Sequence, residues 1–216
     1  MGFVRDKIRN PARDYLSMKI LALELSTARG SLAWLDGNFK NAGEWPNDRK
    51  NSAAFFQNLE AVTKKFGSPE IIIVGLGPGS YAGTRIAISA AIGLQLSSKA
   101  RLIGFPSICA MECETDEYCT IGDARRKSFF FARVRDRALA ETPTLYSEAE
   151  MKKKLDKTES TIPIFCSEPL PQFQRAVIRY PSAVVLGRVA QEAGRGFFLP
   201  PLEPIYLREP HITMPK

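Results

Sequence analysis

The segment Gly75-Leu-Gly-Pro-Gly-Ser-Tyr-Ala-Gly-Thr-Arg85 is the first place in this chain where residue types and spacing suggest chemistry. A glycine-rich turn between a strand and a helix offers backbone N–H groups and the positive end of the helix to an anion. It is not a Walker loop, because no Gly-Lys-Ser/Thr follows. It is not a dinucleotide fingerprint either, because Ser80 stands where the last glycine belongs, and Pro78 removes one donor. A tight turn with close helix packing accounts for the glycines as well as phosphate binding does. Other catalytic sets are thin. The chain has one histidine, His211, set among prolines, so a paired-histidine metal site is excluded. A Ser-His-Asp hydrolase would need that same residue, and Gly-x-Ser-x-Gly is missing. Cys109 and Cys113 share a face if helical, but only His211 could join them as an imidazole, so both read as small buried hydrophobes and no zinc is expected.

A second cluster is basic: Arg125, Arg126 and Lys127 in a turn, then Arg133, Arg135 and Arg137 at period two, with Phe129 and Phe131 on the same face. Such a strand can meet an RNA backbone or stack on a base, but a solvated face with its aromatics turned toward a helix is the more economical reading. The net charge of +7 agrees with an anionic partner without requiring one. With 216 residues, 44% hydrophobic and 25% charged, the chain is long enough for a sizeable core. It has neither a run long enough to cross a bilayer nor a secretory opening, and a cytoplasmic protein with reduced cysteines is expected.

Positioning these residues requires a particular series of elements. Strands are expected over Lys19 to Leu25 and Ser31 to Leu35, with Asp36-Gly37-Asn38 turning into a third. Phe55, Leu59, Val62 and Phe66 recur at helical spacing up to Gly67-Ser68-Pro69. Glu70 to Val74 reads as a central parallel strand, followed by the glycine-rich turn, a helix from about Ser80 to Ser98, a strand at Arg101 to Gly104 and a short helix opened by Pro106. The second half offers strands from Tyr118 to Gly122 and Ser128 to Arg137, and then a helix near Ser147 to Asp156. A strand at Thr161 to Phe165 and a helix over Ala183 to Ala193 complete a reduced copy of the first half. Residues 86 to 98 carry no charge, and in a domain this small one flank of that helix should reach the surface as a protein interface, with Ala87, Ala90, Ala91 and Gly93 allowing close approach.

Five segments occur in the order seen in the TsaB (YeaZ) family: Ile20-Leu-Ala-Leu-Glu-Leu-Ser-Thr27, Gly77-Pro-Gly-Ser-Tyr-Ala-Gly-Thr-Arg-Ile86, Ile103-Gly-Phe-Pro-Ser107, Asp123-Ala-Arg125 and Glu203-Pro-Ile-Tyr-Leu-Arg208. From Met18 to about Arg208 the chain resembles that family. The resemblance implies the actin-like, sugar-kinase-like (ASKHA) ATPase fold in two related subdomains. These are residues 18–115, with partner-binding helices, and 116–216, the reduced copy. Residues 1–17, with Arg5, Lys7, Arg9, Arg13 and Pro11 and no usable hydrophobic period, are expected to form a flexible extension, the alternative being a helix packed through Val4, Ile8 and Tyr15. The resemblance also implies a catalytically silent subunit that pairs with a TsaD-type catalytic subunit and a TsaE-type ATPase to make threonylcarbamoyladenosine in tRNA. The tRNA is met indirectly, and the isolated chain is free to homodimerise. No membrane is involved and no cofactor is intrinsic, while ATP or ADP is allowed at the complex interface. A degenerate nucleotide site would comprise Glu24, Ser26, Thr27, Gly77, Gly79, Ser80 and Asp123, and the partner face Phe56, Tyr81, Arg85, Ala87, Ala90, Ala91 and Leu94.

The chain departs from the family at Glu24, where most members show Asp, and at Asn51-Ser52, where a histidine often precedes the polar residue. Two alternatives share the fold: a small-molecule kinase or ATPase, weakened because Asp123-Ala-Arg lacks the glycine of a second phosphate loop, and a glycoprotease-like hydrolase, weakened by the missing histidine pair.

Overall fold

The computed structural model describes residues 18–47, 52–192 and 196–208. The expected N-terminal extension and His211 lie outside them.

The chain opens with β1 (Lys19–Glu24), β2 (Arg29–Asp36) and β3 (Phe39–Pro46), an antiparallel meander turned at Gly37, whose φ is 58°. Helix α1 (Ala53–Phe66) buries Phe55, Leu59 and Val62, the stripe that the helical spacing selects. Next come β4 (Ile71–Gly75), α2 (Tyr81–Ser98) and β5 (Arg101–Phe105), with β4 parallel to both β1 and β5. The sheet order is β3-β2-β1-β4-β5. A short 3₁₀ turn at Ser107–Ala110 leads to the second half.

There β6 (Glu117–Asp123), β7 (Ser128–Arg135), β8 (Ala138–Ser147), β9 (Ile164–Cys166) and β10 (Ala176–Ile178) form a sheet in the order β10-β9-β6-β7-β8. Read from its other edge, this is the order of the first sheet repeated. Helix α3 (Glu148–Asp156) stands between β8 and β9, as α1 stands between β3 and β4, and begins with a capping box between Ser147 and Glu150. No counterpart of α2 separates β9 from β10, so the second half is the reduced one. Helix α4 (Ala183–Gln191) follows and packs across β1, β2 and β4 of the first sheet. Strands β8 and β10 were not foreseen from the sequence. The expected strand at Thr161 to Phe165 is the shorter β9, and the strand from Ser128 ends at Arg135, before Arg137.

Period-two alternation divides the first sheet. Leu21, Leu23, Ile72 and Val74 face α1 and α2, while Ile20, Ala22, Ile71 and Ile73 face a core shared with α4 and with Tyr118, Phe130 and Ala132 of the second sheet. Burial on both faces is why β1 and β4 read as continuous apolar runs. The outer face of the second sheet closes on α3 through Cys119, Phe131, Met151 and Leu155. All four cysteines are free thiols, and burial pushes that of Cys109 up to about 12. No helix among the described residues is long and apolar enough to cross a membrane.

Candidate functional site

The carboxyl ends of β1 and β4 meet those of β6 and β9 around a cavity of about 550 Å³. In sheets of this kind the crevice beyond the strand ends is where ligands bind. Its first-half wall is the turn after β1, Ser26 and Thr27, together with Gly79, Ser80 and Thr84 at the start of α2. The second-half wall is Gly122 to Arg125 and Ser167-Glu168, and residues 204–208 form the roof. Of the residues expected to form a nucleotide site, Ser26, Thr27, Gly79, Ser80 and Asp123 line this cavity, whereas Glu24 and Gly77 lie behind it.

Packing dictates much of the glycine-rich turn. A Cβ on Gly79 would run into the Ser26 carbonyl, and Ser80 N–H donates to that same carbonyl at 2.6 Å. The turn therefore rests on the β1–β2 loop. Ser80 caps α2, its hydroxyl accepting from Gly83 N–H at 3.2 Å. Ser26 is 1% exposed and its hydroxyl has no hydrogen-bond partner. Such a buried group costs free energy unless something completes it.

Glu24 is fully buried. One carboxyl oxygen accepts from Ser26 N–H at 2.6 Å, and the other has no hydrogen-bond partner and fills the space that a side chain on Gly75 would need. Burial raises its pKa above the usual carboxylate range, against the smaller opposing pull of Ser26 and Ser107. Asp123, its counterpart at the end of β6, repeats the local bond: its carboxylate accepts from Arg125 N–H at 2.6 Å and pairs with the Arg125 guanidinium at 3.1 Å. Asp123 N–H in turn donates to a Glu168 carboxylate oxygen at 2.7 Å. Sequence reasoning missed Glu168, because it stands in an irregular stretch after β9 that has no motif. Among the described residues, no group of three or more His, Cys, Asp or Glu could hold a metal ion.

The expected partner face is divided by the structure. Phe56 and Tyr81 are each 49% exposed, Arg85 is exposed, and Ala90 and Leu94 are half-buried. Ala87 and Ala91, however, are 0% exposed and belong to the core beneath α2, so their assignment to the interface is corrected. They occupy the inward stripe, where small side chains let the helix lie close to β4. The outward stripe is Ser89, Ile92, Gly93 and Leu96, with Ile92 41% and Leu96 80% exposed. Arg85 donates to the Tyr206 hydroxyl at 3.0 Å and lies 4.2 Å from the centre of the Tyr81 ring, which joins α2 to the roof.

The basic strand is largely neutralised. Arg133 and Arg135 both pair with Glu117, at 2.6 and 2.8 Å, and Arg137 donates to the Met111 carbonyl at 2.7 Å. Phe129 and Phe131 are buried beside α3, so this face is not a stacking platform.

No protein-family model matches the chain, and no curated protein matches it in sequence. Solved structures do. A Pseudomonas aeruginosa protein with similarity to peptidase YeaZ superposes at a TM-score of 0.68 with 19% identity, covering 88% of this chain and all (100%) of its own. YeaZ from the same organism gives 0.67 at 19% identity with the same coverage. At this identity the likeness establishes the fold alone: two mixed five-stranded sheets of the same strand order, the second with one helix fewer between its strands.

Proposed function

We propose that the chain is a TsaB (YeaZ)-type protein: a catalytically silent subunit that supports a TsaD-type enzyme, with a TsaE-type ATPase, in placing threonylcarbamoyl on adenosine of tRNA. The fold shared with YeaZ and the five family-like segments support this reading. The observation that carries it is the outward face of α2. Ser89, Ile92, Gly93 and Leu96 form a solvent-facing stripe without charge, and Phe56 on α1 and Tyr81 at the start of α2 are exposed as well. A monomer gains nothing by exposing such a stripe, whereas a helical partner can bury it.

Mixing the chain with a TsaD-type subunit, with and without ATP, and weighing the product by native mass analysis tests the proposal. A stable heteromer is expected. Leu96→Asp and Ile92→Arg are expected to abolish it while leaving the monomer folded by circular dichroism, because a charge buried unpaired at an interface costs several kcal/mol. Normal assembly by both folded variants would remove α2 as the meeting surface.

A further inference from the structure

The fold implies a nucleoside triphosphate in the cleft, held between two phosphate loops, and the two ends of this cleft answer that expectation differently. At the first-half end, α2 begins at Tyr81 with its positive pole toward the cavity. Ser26 belongs to the cavity wall at this end, and its shielded hydroxyl, beside the Glu24 carboxyl, has no hydrogen-bond partner. The roof crosses this same end, tied by Ile205 N–H to the Leu76 carbonyl at 2.8 Å, and brings Arg208, whose Nε is also without a partner. These groups fit one anion.

The second-half end is already filled by the protein. At the end of β6, the Asp123 N–H is bonded at 2.7 Å to Glu168, which makes no ion pair among the described residues, and so is not free to meet a phosphate oxygen. The turn that follows is held by Asp123 itself, which accepts Arg125 N–H and engages the Arg125 guanidinium. Two carboxylates thus line the second-half end of the cleft, where a polyphosphate reaching across it would meet negative charge. The pseudo-repeat shows how this arose: β9 answers to β4, but Ser167-Glu168 replaces the glycine-rich turn, and no helix follows to present its N-terminus.

We infer that Glu168 is a built-in stand-in for a phosphate, which closes the second-half end to polyphosphates and leaves a cleft selective for ligands with a single anionic group at the Ser26–Ser80 end. The residues do not fit a triphosphate. The inference does not rest on the partner-binding reading, which would survive its failure.

Calorimetry of the full chain with AMP and with ATP tests it. The wild type is expected to bind AMP at least as tightly as ATP. Glu168→Gln keeps an acceptor for Asp123 N–H and removes only the charge, and it should strengthen ATP binding by about tenfold while moving AMP by less than about twofold. Glu168→Ala also frees the N–H and should strengthen ATP further. The Asp123 amide resonance reports the change directly: AMP should leave it in place in the wild type, and ATP should shift it in the alanine variant. A wild type that prefers ATP, an ATP affinity unmoved by both substitutions, or failure of every variant to bind either nucleotide would each overturn the inference.

Discussion

Glu24 shows how far a single side chain can depart from its ordinary chemistry. Its pKa is raised because burial disfavours the ionised form, so between the ordinary carboxylate range and the raised value the folded state holds a proton that the unfolded chain releases. The contribution is present in full below the unfolded value and is lost as pH rises through the folded one. Glu24→Gln should therefore flatten the fall in thermal stability with rising pH, measured by calorimetry across that window; an unchanged slope would mean that the carboxyl is ionised in the fold. Gly79 is a simpler case. Its hydrogen faces the Ser26 carbonyl, so Gly79→Ala should cost about 2 kcal/mol by overpacking, or roughly 4–8 °C in Tm for a chain of this length. A substitution without effect would show that the turn yields. The glycines were conspicuous in the sequence, but their purpose was not. Spacing cannot separate backbone resting on backbone from backbone cradling phosphate, and only the position of the β1–β2 loop decides it.

Helix α2 carries the contrast between inward and outward stripes. Ala87→Asp places a charge in the core and should unfold the monomer, with loss of several kcal/mol, whereas Leu96→Asp should leave the denaturant midpoint within about 0.5 kcal/mol of wild type. Equal behaviour of the two variants would contradict the orientation of the helix. The absence of charge over residues 86–98 revealed in the sequence that the helix is covered or partnered. It did not reveal which alanines face in, because with Ala, Ile and Leu on every side the hydrophobic period is blurred. The strands of the first sheet were legible for the opposite reason: burial on both faces leaves β-branched runs bounded by turns. Strand β8 was not, since Ala-Leu-Ala-Glu-Thr-Pro-Thr-Leu-Tyr-Ser alternates half-exposed residues and carries a proline, which an edge strand tolerates. At three residues, β10 is too short for any pattern.

The two halves are joined by more than the crossing chain. Arg29 on β2 donates to Glu112 at 2.6 Å, pairs with Glu44 at 3.3 Å and lies 4.7 Å from the centre of the Tyr180 ring, while Ala183 N–H at the start of α4 donates to the Ser31 hydroxyl at 2.9 Å. Arg29→Ala should cost about 1–2 kcal/mol in chemical denaturation, allowing for solvent screening of the half-exposed carboxylates. Glu44→Ala should cost less, because Glu112 and Tyr180 remain; the reverse order would place the latch elsewhere. The bridge between Gly104 and Phe198, with N–H···O distances of 2.8 and 2.9 Å, gives β5 a partner from a segment that lies beyond the whole second sheet in the chain. On the ribosome, the edge of the first sheet thus waits uncovered while about a hundred further residues are made, at roughly 5–20 residues per second. The half that leaves the exit tunnel first is the last to be finished, and its exposed β5 edge is the place where a stalled or truncated nascent chain would be caught by a chaperone.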